Sequence, residues 1–173
     1  MNRLEGKVAV ITGGAGCIGR EAGVLFAAEG ADVLLVDMDA AALEQAVKEI
    51  GSNRVSYCVA DVTSAEDNDA MIATAEERYG GVDVLLANAG IEGDVTPLEE
   101  YSEDMFDKVL SVNVKGVFLG LKSAIPAMRK RGGGSIVITS SVAGVRGTPG
   151  ISAYGTSKHA VVGLMRAAAL EYA

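Results

Sequence analysis

No stretch restricts the fold of this chain as much as Lys7 to Arg20, KVAVITGGAGCIGR. Val8, Ala9, Val10 and Ile11 form an apolar run too short for a stable helix, and it reads as a strand buried on both faces. A glycine-rich turn follows from Thr12 to Gly19, and Ile18, Val24, Leu25 and Phe26 then recur at helical spacing. The expected order is strand, glycine turn, helix. Glycines let a backbone turn tightly and come close to a pyrophosphate, while the unpaired N–H groups and positive dipole end of the new helix attract its charge. Any tight strand-to-helix connection also favours glycine, so the turn needs its neighbours before it can be assigned a ligand.

The chain has 173 residues, is 49% hydrophobic and contains three prolines, which suits one soluble globular domain over residues 1–173 with a real core. A net charge of −8 argues against a nucleic-acid partner. The basic cluster Arg129, Lys130, Arg131 falls where a helix should end and complements its dipole. The leading MNRLEGK has no apolar signal core, and no uninterrupted apolar run is long enough for a membrane span. The expectations are no membrane partner and, by default, a cytoplasmic location. Cys17 and Cys58 read as free thiols. The single histidine, His159, reads as a solvent-facing helix residue, and no His/Cys cluster suggests a metal.

Beyond the first helix, Gly30 marks a stop and Ala31 to Val36 gives a second strand closed by Asp37. An acid at that tip is placed to accept hydrogen bonds from an adenosine ribose and to repel a 2′-phosphate; it could equally end the strand, with Asp39 capping the helix Ala40 to Ile50. Arg54 to Ala60 is the third strand and runs into Asp61-Val62-Thr63, after which Ser64 to Tyr79 is helical. Val82 to Ala87, the fourth strand, ends in Asn88-Ala89-Gly90, at the strand end where open α/β sheets place ligands. The acidic stretch Glu92 to Glu100 reads as a solvated connection. A long helical pattern starts at Ser102, broken only by Gly116, Gly120 and Pro126, and carries Asn113 in its apolar middle, either as a structural pin for the neighbouring turn or as part of a polar chain to the site. Ser135 to Thr139 is the fifth strand, closed by Ser140 and Ser141.

The final helix begins at Ser152 and carries Tyr154 and Lys158, one turn apart on one face, so the ammonium can sit beside the phenol. For a phenol to exchange a proton near neutral pH its pKa must drop from about 10 to about 7, and a neighbouring cation is one means of achieving that. Such a pair alone is common on ordinary helix surfaces.

Taken together, Thr12-Gly13 through Gly19, Asp61-Val62, Asn88-Ala89-Gly90, Asn113, and Ser141 ahead of Tyr154-x-x-x-Lys158 resemble, in order and spacing, the classical short-chain dehydrogenase/reductase family. The likeness runs from Lys7 to the last residue. It implies a Rossmann-type α/β fold, a doubly wound parallel sheet of strand order 3-2-1-4-5, and a nicotinamide-dependent oxidoreductase. By that resemblance Asn113, Ser141, Tyr154 and Lys158 are the catalytic group. Tyr154 is the general acid/base, Lys158 binds the nicotinamide ribose and lowers the Tyr154 pKa, Ser141 holds the substrate oxygen, and Asn113 fixes a helix distortion and a proton-relaying water. The cofactor would be bound by Thr12, Gly13, Gly16, Cys17, Ile18, Gly19, Asp37, Met38, Asp61, Val62, Asn88, Ala89 and Gly90 together with Tyr154 and Lys158, with Asp61 and Val62 around the adenine and Asn88 to Gly90 bordering the ribose. Asp37 followed by Met38, with no basic residue at Gly16 or Cys17, favours NAD over NADP.

The implied reaction interconverts a secondary alcohol and a ketone on a small-molecule substrate, in a homo-oligomer of two or four copies. The alternatives are a dinucleotide-binding module without turnover and, against the glycine spacing and the Ser141 distance, a sugar-nucleotide epimerase or dehydratase. The sequence departs from the family's TGxxxGxG turn at Cys17, where a cysteine is costly if the backbone must be left-handed. It also ends at Ala173, whereas family members continue through two further strands, so the fifth strand is expected to be a sheet edge.

Overall fold

The computed structural model describes residues 2–173. Five parallel strands form one sheet in the order β3-β2-β1-β4-β5: β1 (Val8–Thr12), β2 (Asp32–Asp37), β3 (Val55–Val59), β4 (Val84–Ala87) and β5 (Ser135–Ile138). In the observed register Val10 lies opposite Leu34 on one side and Leu85 on the other. β1 is buried along its whole length, as a central strand covered on both faces must be. One core layer lies around Val10, Leu34, Met71, Leu85 and Leu121, and the other around Ile11, Val33, Leu35 and Leu43.

The helices are α1 (Cys17–Ala28), α2 (Ala40–Ile50), α3 (Ala65–Tyr79), α4 (Glu103–Leu110), α5 (Gly116–Lys130) and α6 (Ser152–Glu171). Side chains set their ends. Asp39 accepts from Ala42 N–H at the start of α2, Ser64 from Asp67 N–H at α3, and Ser102 from Met105 N–H at α4. Gly51 and Gly80 end α2 and α3 in the left-handed conformation.

Three sequence expectations change. The apolar residues Ile18, Val24 and Leu25 of α1 do not face the core; Ile18 and Leu25 are 64% and 63% exposed, and the buried positions are Gly19 and Gly23. The reason is proximity. A Cβ on Gly23 would come within 3.1 Å of Leu35 Cδ2, and one on Gly19 would collide with the Gly13 carbonyl oxygen, so the helix lies too near the sheet for a side chain on that face. The pattern from Ser102 to Lys130 is one continuous helix with a π turn at Ser111–Lys115, passing through Pro126 without a break. Its 28 residues from Glu103 to Lys130 are long and apolar enough, by length and composition, to cross a membrane, which counting uninterrupted apolar runs did not show. Here Val117, Leu121, Ala124 and Ala127 pack into the core.

Arg131 does more than end a helix. Its Nη2 donates to Asp83 Oδ2 at 2.8 Å, and the same carboxylate oxygen accepts the Val8 N–H at 2.9 Å, tying the end of α5 to the starts of β1 and β4. Lys7 Nζ lies 3.6 Å from the other oxygen. Burial works to raise the Asp83 pKa, and the Arg131 hydrogen bond, the Val8 N–H and the two cations outweigh it, so the carboxyl sits below its usual value of 3.8. A depressed acid stabilises the fold above its unfolded pKa and loses that contribution as pH falls through the folded value. Asp83→Asn should therefore cost about 2 kcal/mol at neutral pH, measured by urea unfolding, with the gap from wild type closing as pH drops below about 4.

Candidate active site

The site lies at the carboxyl ends of β1, β4 and β5, where two turns are locked together. Gly13 takes φ +65°, and a Cβ there would lie 2.9 Å from Ala89 Cα. Only glycine fits both constraints. Thr12 Oγ1 accepts the N–H groups of Asn88 (3.0 Å) and Ala89 (3.1 Å). The Asn88 amide in turn donates to the carbonyls of Thr12 (3.2 Å) and Gly13 (3.4 Å), and its Oδ1 accepts from Thr139 Oγ1 at 3.1 Å. Thr12, Asn88 and Ala89 thus close one side of the crevice between the first and fourth strands.

At the mouth of that crevice Gly16 is the N-cap of α1, with no side chain capping the helix. The N–H groups of Cys17, Ile18 and Gly19 have no acceptor among the described residues. Cys17 is the first helical residue and is exposed; every positive-φ residue among the described ones is glycine, so the cysteine stands in ordinary right-handed backbone and carries no left-handed strain. Asp37 accepts from Met38 N–H at 2.8 Å and from Ala15 N–H at 3.3 Å, which holds its carboxylate beside the glycine turn. Met38 is exposed next to it. Asp61 Oδ1 accepts both the N–H and the hydroxyl of Thr63 at 2.8 Å. Val62 shares a small void of about 10 Å³ with Thr12, Ala89 and Gly116, which places the Asp61-Val62 turn beside the Thr12 and Ala89 turns.

These residues fit a dinucleotide. Unpaired N–H groups at a helix N-terminus suit a pyrophosphate. A carboxylate has about four acceptor sites, which leaves Asp37 room for ribose hydroxyls beyond the N–H groups it already holds.

The second group of residues sits around α6. Lys158 is 5% exposed, its Nζ donates to the Thr139 carbonyl at 2.8 Å and lies 5.5 Å from the centroid of the Tyr154 ring. Burial holds the Lys158 pKa below that of a free lysine. Asn113, on the π turn, is 1% exposed and fully used: Oδ1 accepts Ile91 N–H, and Nδ2 donates to the Ile91 carbonyl and to Ser157 Oγ at 3.0 Å. Ser157 Oγ donates to the Tyr154 carbonyl at 2.7 Å, so Asn113 pins both the loop after Gly90 and the first turn of α6. Gly90 belongs here too, since a Cβ on it would lie 3.1 Å from Asn113 Oδ1 and 3.5 Å from Lys158 Nζ. Ser141 Oγ accepts Ala143 N–H at 3.2 Å and caps the short turn Val142–Gly144, which packs on α6.

Two contributors were not singled out by sequence, Thr139 and Ser157, whereas Thr12, expected to bind the cofactor, uses its hydroxyl to hold the Asn88 turn. Ser157, three residues after Tyr154 and one before Lys158, had a positional signal; Thr139 acts largely through its carbonyl, which no side-chain pattern can reveal. His159 is exposed, with Nδ1 2.9 Å from the Gly155 carbonyl, and takes no part. Among the described residues no group of acids, cysteines and histidine could hold a metal.

A family model described as short chain dehydrogenase matches residues 7–173. Levodione reductase from Leifsonia aquatica is 43% identical over 174 residues, covering 98% of this chain and 65% of that protein. Among solved structures, a levodione reductase superposes with a TM-score of 0.94 at 41% identity, covering 98% of this chain and 67% of that one. An NAD+-bound xylitol dehydrogenase gives the same TM-score at 39% identity, covering 98% and 66%. The chain therefore spans about two thirds of the length of these relatives. With a matching family model over nearly all its residues and a superimposable fold, the chain belongs to the short-chain dehydrogenase family.

Proposed function

We propose that this chain carries the NAD(H)-binding and proton-transfer machinery of an oxidoreductase that interconverts a secondary alcohol and a ketone. The observation that carries the reading is the buried Lys158 ammonium, fixed on the Thr139 carbonyl beside the Tyr154 ring at the ligand-facing end of the sheet. A buried cation next to a phenol stabilises the phenolate, which is what a general base taking a hydroxyl proton requires. When bound, the nicotinamide ring supplies the hydride acceptor or donor. The protein's part is to hold the two partners and move the proton. In this reading Tyr154 exchanges a proton with the substrate oxygen, Ser141 donates a hydrogen bond to that oxygen, and Lys158 holds the nicotinamide ribose. Asn113 is a positioning residue, since every polar atom of its amide is spent on Ile91 and Ser157.

NAD is preferred over NADP in this proposal because Asp37 is held at the tip of β2, and a 2′-phosphate placed there would face a carboxylate with no cation beside it in the sequence at Met38, Gly16 or Cys17. The NAD+-bound neighbour is consistent with this choice.

Mixing the protein with NAD and a panel of secondary alcohols and following absorbance of the reduced ring tests the activity; binding without reduction would favour the module reading. Tyr154→Phe should lower kcat on the order of 10²- to 10⁴-fold, while the Kd for NAD, measured by calorimetry, changes far less. Asp37→Ser should shift the ratio of kcat/KM for NAD over NADP toward NADP by about tenfold, and an unchanged ratio would remove Asp37 from cofactor selection.

A further inference from the structure

An asparagine buried on the inner face of α3 is not explained by packing. Asn68 is 1% exposed, and its Oδ1 has no hydrogen-bond partner among the described residues. Leaving a buried acceptor unpaired is destabilising, so an apolar residue of the same size would serve the core better. What the amide gains is a grip on one loop: Nδ2 donates to the Val62 carbonyl at 2.8 Å and to the Ser64 carbonyl at 2.7 Å. Asn68 is the only partner of the Val62 carbonyl among the described residues. Asp67 holds the other end of the loop through Asp61 N–H at 2.8 Å.

Within that loop two groups are left free. Among the described residues the Val62 N–H has no acceptor, and Asp61 uses only Oδ1, leaving Oδ2 unpartnered. A donor beside an acceptor is the complement of the adenine edge, where N1 accepts and the 6-amino group donates. On the opposite side Gly116 presses on the loop; a Cβ there would lie 2.9 Å from Val62 Cγ2. The loop is thus clamped between α3 and the start of α5, with its two free groups on the segment whose Val62 lies beside Thr12 and Ala89.

We propose that Asn68 is a positioning residue for adenine recognition: by fixing the peptide after Val62 it presents the Val62 N–H and the Asp61 carboxylate as a pair matched to an amino-purine. The inference rests on the NAD reading above and on the place by the adenine that the family resemblance gives Asp61 and Val62; what it adds is Asn68, a residue outside the crevice.

The test compares NAD with nicotinamide hypoxanthine dinucleotide, in which position 6 accepts and N1 donates, so both bonds are reversed. Calorimetric Kd values should favour NAD by about tenfold or more in the wild type. In Asn68→Leu that preference should fall to about twofold or less, mainly through weaker NAD binding, while thermal unfolding still shows a cooperative transition. Asn68→Ser, whose hydroxyl is too short to reach both carbonyls, should behave the same way and serves if the leucine variant does not fold. A variant that folds and keeps the wild-type preference overturns the role of Asn68. Tight NAD binding by the wild type with no preference between the two dinucleotides overturns adenine reading but leaves the proposed function standing, whereas no binding of either dinucleotide overturns both.

Discussion

The close approach of two turns governs the rest of the site. Where Gly13 meets Ala89, backbone lies against backbone, and the hydroxyl of Thr12 and the amide of Asn88 fill the polar valences that such contact would leave open. This contact sets where α1 starts, because the helix leaves directly from the glycine turn. It also sets where β5 ends, because Asn88 Oδ1 takes the Thr139 hydroxyl and the next group along, the Thr139 carbonyl, takes Lys158. From the mouth of α1 to the ammonium on α6, one run of short hydrogen bonds passes through three strands. The glycine turn and the Tyr154–Lys158 pair are therefore parts of one rigid assembly, although some 140 residues of sequence, roughly, lie between them.

The far end of the sheet has its own knot. Asp83 joins β1, β4 and the end of α5 with one carboxylate, and it sits at the amino ends of the strands, away from the crevice. The division of labour follows: the charged pair at one end serves stability, and the polar network at the other serves chemistry. This separation agrees with the general placement of ligands at the carboxyl ends of parallel strands.

Much of the fold was legible because its strands are short, β-branched and bounded by turn residues, and because parallel strands buried on both faces leave continuous apolar runs. The strand order and the placement of Asn113, Tyr154 and Lys158 within the site region follow from that pattern and from the family resemblance. The inward face of α1 was not legible, since hydrophobic periodicity assumes that apolar side chains mark the buried stripe. Here the helix approaches the sheet so closely that Gly19 and Gly23 mark it, and Ile18 and Leu25 point outward. Arg131 was hidden for a similar reason: composition shows a basic helix end, but the partner, Asp83, is distant in sequence and joins it only through the sheet. Asn68 looked like one more polar residue on a polar helix, and only its burial and its two carbonyl partners reveal it.

The π turn at Ser111–Lys115 has a further consequence. A π turn holds one residue more than the α-helical turn it replaces, and each residue of a helix accounts for about 100° of rotation. The Val117, Leu121, Ala124 face that packs on the core and the Asn113 amide that pins α6 are both correctly aimed only because that extra residue is present. Deleting any one residue of the segment would leave an uninterrupted α-helix, more regular in every local respect, and would swing either the amide or the whole downstream face out of alignment. In this helix the number of residues is as much a determinant of the site as their identity, and a gap in a sequence alignment at that point would be a heavier change than most substitutions.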